Sequence, residues 1–72
     1  MNTGEKIDYM IQCLQVAKAE YEYNAEYVKN EPVDPKEYRA YYSTHRTPNK
    51  ALIKDNLRNA ARMGFRLANE VK

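Results

Sequence analysis

Tryptophan is absent from this chain of 72 residues, and cysteine, histidine and glycine are nearly so, represented by Cys13, His45, Gly4 and Gly64. Each scarcity removes a class of protein. One cysteine forms no intrachain disulfide, and one Cys with one His cannot complete a zinc site without a second chain. Two isolated glycines do not build a phosphate-binding loop. The lone imidazole of His45 has Thr44, Arg46 and Thr47 for neighbours, so no adjacent carboxylate orients it, and Ser43 beside it lacks the third member of a nucleophile–base arrangement. The pairs Glu22/Glu26 and Asp34/Glu37 read as a wet helix face and a helix cap. No catalytic residue, metal site or cofactor is therefore expected, and the chain reads as non-enzymatic. Long apolar runs are missing too. Nothing approaches the ~20 residues that cross a bilayer, and Met1 is not followed by a signal-peptide core. With a single reduced cysteine, the expected location is cytoplasmic and no membrane partner is expected.

What is present is charge and tyrosine, unevenly divided. Residues 1–38 carry four Lys against eight Asp/Glu, net −4, while residues 39–72 carry eight Lys/Arg against two acids, net +6. All seven tyrosines, at 9, 21, 23, 27, 38, 41 and 42, lie in the first 42 positions. A single domain over 1–72 is as much as this length supports, and it buries only roughly 60% of its unfolded surface. Small chains offset that deficit with disulfides, metal or self-association. Only the last is open here.

The pattern is all-α, with two long helices and a short one between them. From about Glu5 to Asn30 nothing breaks a helix. Ile7, Met10, Leu14, Ala17, Tyr21 and Val28 form one apolar seam at helical spacing, with Ile11 and Ala25 beside it. A second stripe, Tyr9, Cys13, Val16, Tyr23 and Tyr27, lies roughly opposite and is interrupted by Glu20. A monomer needs only one apolar face on a surface helix, so two faces predict a homo-oligomer. Pro32 and Pro35 end this helix. Asp34 then caps the short one, with Pro35 in its first turn and Glu37 three residues after the cap. Thr47 and Pro48 predict the start of the last helix, which runs to the C-terminus. Its seam is Ile53, Leu57, Ala60, Gly64, Leu67 and Val71. Gly64 marks either a close backbone approach or a seat for Tyr21 or Met10.

A second stripe on the last helix points to function. Lys50, Lys54, Arg58, Arg62 and Arg66 recur every fourth residue and drift by roughly 40° per step. Five such cations suit phosphate, and arginine grips it in bidentate fashion. Phe65 projects between Lys54 and Arg58, as a stacking platform or an oligomer contact. With Tyr9 and Tyr23 as further stacking rings, these eight residues are the expected ligand site. The same stripe on a soluble helix exterior needs no ligand.

The run Leu52 to Ala60 (LIKDNLRNA), followed by Arg66, resembles the C-terminal helix of small phage anti-CBASS proteins, matching at Leu52, Lys54, Leu57, Ala60 and Arg66. Arg62 and Met63 stand where that family often carries an aromatic. The resemblance covers some fifteen residues. It implies a phage-type, hexamer-forming helical sponge that sequesters a cyclic oligonucleotide signal without cleaving it. The leading expectation is thus a homo-oligomer binding a phosphate-bearing nucleotide. Two alternatives stand beside it. One is a helix-turn-helix-like protein bringing Asn49, Lys50, Lys54 and Arg58 to DNA. The other is a small inhibitor docking on a host protein through Tyr9, Tyr23 and Tyr27.

Overall fold

A computed structural model describes residues 1–71 as three helices: α1 (Thr3–Lys29), α2 (Pro35–Thr44) and α3 (Lys50–Glu70). The order long, short, long is the expected one, and no strand occurs among the described residues. Each start has a side-chain oxygen in place. Asn2 accepts from the Glu5 backbone N–H at 2.8 Å, Asp34 from that of Lys36 at 3.0 Å, and Asn49 from that of Leu52 at 3.0 Å. Such caps satisfy donors that the first turn otherwise leaves without partners. Pro35 occupies the first turn of α2 as its fixed φ favours. The start of α3 corrects the sequence reading: Asn49, not Thr47, is the cap, and Pro48 lies before the helix. The cause is tertiary. A carboxylate on α1 accepts the Asn49 backbone N–H at 2.7 Å and holds that residue extended.

α1 and α3 pack as an antiparallel hairpin. Lys6 pairs with Glu70 at 3.8 Å near one end, and Glu20 meets Asn49 near the other. Between them the buried apolar residues are Cys13 and Ala17 on α1 and Ala60 and Leu67 on α3, only the last of them large. Gly64 completes the contact, and a Cβ added there would lie 2.9 Å from Met10 Cε, so Met10 uses the missing side chain as its seat. Small residues at 3–4 spacing bring helix axes close and give dispersion contact over the whole interface.

The contact runs between the two stripes expected on α1. It follows Met10, Cys13, Ala17 and Glu20, then half-buried Tyr23 and Tyr27. Ile7, Leu14, Tyr21 and Val28, assigned to the seam by periodicity, stay exposed, as does Ile11 beside it. Of the seam expected on α3, Ala60, Gly64 and Leu67 hold, Ile53 is half-buried, and Leu57 and Val71 are exposed at 48% and 69%. No side chain among the described residues is completely withdrawn from water. The rod measures 60 × 15 × 14 Å, longer than α1 alone at ~1.5 Å per residue, because α2 extends beyond the hairpin. No described helix is long and apolar enough to cross a membrane.

Candidate functional site

Two polar assemblies hold the frame on which the candidate site is built. Glu20, only 5% exposed, lies among apolar neighbours where an unpaired carboxylate would be costly. Arg46, from the α2–α3 connection, grips it with both guanidinium nitrogens, Nη1 to Oε2 at 2.8 Å and Nη2 to Oε1 at 2.7 Å. The Asn49 N–H donates to the same carboxylate. These hydrogen bonds outweigh burial and lower the Glu20 pKa to about 2, while Glu20 raises that of Arg46 in return. Arg46 is fixed from below as well. Its guanidinium carbon sits 4.0 Å from the centre of the Tyr23 ring, and the Tyr23 hydroxyl donates to its carbonyl at 2.6 Å.

The second assembly joins α2 to the end of α1 almost entirely through tyrosine. The Tyr41 hydroxyl donates to the Tyr27 carbonyl at 2.6 Å, and that of Tyr42 to Glu31 at 2.7 Å. Rings of Tyr27 and Tyr41 tilt together at 5.2 Å, and Tyr41 stacks on His45 at 4.3 Å. Burial raises the Tyr41 pKa, and the Glu31 hydrogen bond raises that of Tyr42 to about 12. His45 is absorbed into this cluster: its Nδ1 lies 3.0 Å from both the Tyr41 carbonyl and the Thr44 hydroxyl.

Along one side of the hairpin, α1 and α3 diverge into a cleft of about 220 Å³ lined by Tyr9, Asn59, Arg62, Met63 and Arg66. Arg62 and Arg66 are one turn apart and make no ion pair among the described residues. Asn59 adds an amide one turn earlier, and Met63 gives the floor an apolar, polarizable surface. Tyr9 forms the α1 wall. A hydrogen bond to the Cys13 side chain one turn along raises its pKa.

The structure therefore brings together three of the expected ligand residues: Tyr9, Arg62 and Arg66. The drift of the stripe carries the others away. Lys50, Lys54 and Arg58 lie toward the opposite flank of α3, with Arg58 3.8 Å from Asp55. Phe65 stands out from the same helix, 74% exposed. Tyr23 belongs to the Arg46 clasp at the far end of the hairpin. Asn59 and Met63 escaped the sequence reading because membership of the cleft depends on which flank of α3 meets Tyr9. Their signal was the 3–4 spacing to Arg62 and Arg66.

On the opposite side lies a second groove, of about 300 Å³, lined by Leu14, Ala17, Lys18, Tyr21, Ile53 and Leu57. It is apolar apart from Lys18 and the Tyr21 hydroxyl. No cluster of three His, Cys, Asp or Glu able to hold a metal occurs among the described residues. No family model, curated protein or solved structure matches the chain.

Proposed function

We propose that this chain is a small, non-enzymatic, phage-type protein that binds and sequesters a phosphate-bearing nucleotide as a homo-oligomer, with the Tyr9, Asn59, Arg62 and Arg66 cleft as its ligand site. The observation that carries this reading is the pair of arginines one turn apart on a cleft wall, opposite a neutral tyrosine. Guanidinium groups so spaced can share one phosphate, and the fork geometry of each suits its oxygens. Tyr9 offers a ring for a base to rest on and a hydroxyl to donate. The cleft is smaller than the ~300 Å³ at which small-molecule pockets begin. A ligand with two phosphates extends beyond it.

A helix-turn-helix reading has less support, because α2 is tied to the end of α1 by Tyr41 and Tyr42 and extends beyond the hairpin. Titration calorimetry with 5′-AMP, a cyclic dinucleotide and a short DNA duplex separates the two. The expected result is binding of the cyclic dinucleotide, weakened at least ~10-fold, or ~1.4 kcal/mol, by Arg62→Gln with Arg66→Gln. Melting temperature should hardly move, since exposed charges contribute ~0–1 kcal/mol. Wild-type affinity in the double variant would overturn the site. Binding to the duplex alone, with log K falling against log salt at a slope of about −4.5 for five phosphate contacts, would replace it with DNA.

A further inference from the structure

The apolar side of the hairpin is too large for a chain whose own core is so slight. Cys13, Ala17, Ala60 and Leu67 are the buried apolar residues, whereas Ile7, Ile11, Leu14, Tyr21 and Leu57 are exposed on one continuous face. Leu14 and Tyr21 are two turns apart on α1, with Ile7 two turns earlier. Leu57 faces them across the groove, and Ala61 and Ala68 continue its row along α3. This patch lies opposite the arginine cleft, so its occupant and the proposed ligand do not compete for space.

We infer that this face is covered by a second copy of the chain, in a two-fold pair whose axis runs along the rods, so that α1 of each copy lies over α3 of the other. Area and charge select this arrangement. The two-helix stretch is ~31 Å long for the 21 residues of α3 at ~1.5 Å each and 15 Å wide. In projection that is roughly 470 Å², which side chains projecting beyond the backbone bring toward the ~600 Å² per partner at the small end of standard interfaces. The α3 edge of the face carries Lys50, Lys54 and Arg58. The α1 edge carries Asp8, Glu22 and Glu26 against Lys18 and Lys29, and Lys18 is itself paired with Glu22 at 3.9 Å. Setting α3 over α3 would oppose two rows of cations. With α1 over α3, the partner's Lys50 lies within a turn of Glu22, because Glu20 and Asn49 mark the same height along the rod. Helical pairs joined this way form a four-helix bundle, whose interior receives Leu14, Tyr21, Ile53 and Leu57 from both copies.

The inference rests on the self-association in the proposed function and not on its ligand, and mass measurement keeps the two apart. Light scattering and sedimentation equilibrium on the full chain should give twice the 8.5 kDa of one chain. Leu57→Glu should weaken the pair at least ~100-fold, or ~2.8 kcal/mol, with helix content retained because that side chain is half exposed in a single copy. Glu22→Lys and Lys50→Glu should each weaken it, and the double variant should recover most of the loss. A monomeric wild type overturns the inference together with self-association. An assembly whose mass Leu57→Glu leaves unchanged overturns this face while leaving an oligomer and the nucleotide reading intact. Should Leu57→Glu unfold, the charge swap decides, and failure of the double variant to recover overturns the α1-over-α3 arrangement.

Discussion

Between Met10 and Ala17, α1 meets α3 through Cys13, Ala17, Ala60 and the seat of Met10 on Gly64, whereas around Glu20 it meets the α2–α3 connection through a buried carboxylate and a guanidinium. The first contact is extensive and non-directional. Cys13, Ala17 and Ala60 give it little relief, and Met10 seated on Gly64 is its one interlocking point. The second is narrow and directional, since two Arg46 nitrogens and one backbone N–H converge on Glu20 within 2.8 Å. A buried ion pair is weak evidence for net stability but suits the fixing of register. The hairpin thus divides its labour. Apolar contact holds the helices together, and the clasp adds a directional stop at one end.

The largest effect should come from filling the close contact. Ala60→Leu inserts three carbons at a buried α3 position that lines neither cavity, costing up to ~3 kcal/mol by overpacking. Measured by thermal melting at fixed concentration, that is a fall of up to ~12–24 °C for a domain of this size. Breaking the clasp comes second. Glu20→Gln keeps the shape, loses the charge and should lower the melting temperature with a pH signature. The Glu20 pKa falls from the ordinary value of 4.5 to about 2 on folding, so its contribution is complete above pH 4.5 and drains away as pH falls toward 2. Wild type should lose stability through that window, and Glu20→Gln should be flatter across it. An unchanged acid profile in the variant would remove the clasp from the account.

Tyr41→Phe should have a smaller effect, a few degrees at neutral pH, by deleting the hydrogen bond to the Tyr27 carbonyl while keeping the ring stack. Amide exchange should rise in α2 and not between Met10 and Ala17. The smallest effect, with opposite sign, belongs to Gly64→Ala. Alanine gains up to ~1 kcal/mol of helix propensity. The Cβ meets only the terminal methyl of Met10, which can swing aside. A rise of a few degrees is expected, and a marked fall would show that the helices are closer than Met10 can accommodate.

Three helices, their order, the Asp34–Pro35 start of α2 and the cationic drift of α3 were all legible in the sequence. Each depends on neighbours within a few positions. The phase of the α1–α3 contact was not, because periodicity weights Ile7, Leu14 and Tyr21 for their size, while the interface selects Cys13 and Ala17 for the lack of it. Glu20 looked like an interruption of an apolar stripe, since its partner is 26 residues away. A lone acid on an apolar stripe, beside an otherwise polar connection holding one arginine, was the available clue. The same clasp explains the late start of α3, where Thr47–Pro48 was locally the better cap and Asn49 won through Glu20. At the candidate site, the arginines were visible as a row. That only Arg62 and Arg66 share a cleft with Tyr9 required knowing which flank of α3 faces α1.

The extension of α2 beyond the hairpin has a hydrodynamic consequence. The Cα radius of gyration is 17.2 Å, against about 11 Å for a compact globule of 72 residues. A particle so elongated drags more solvent than its mass implies and elutes early from a sizing column, where a single copy imitates a larger sphere. Side-by-side pairing of two rods thickens the particle without lengthening it. Doubling the mass in this way therefore lowers the frictional ratio, so dilution through the dissociation range should make the particle lighter and, for its mass, more strongly retarded by solvent.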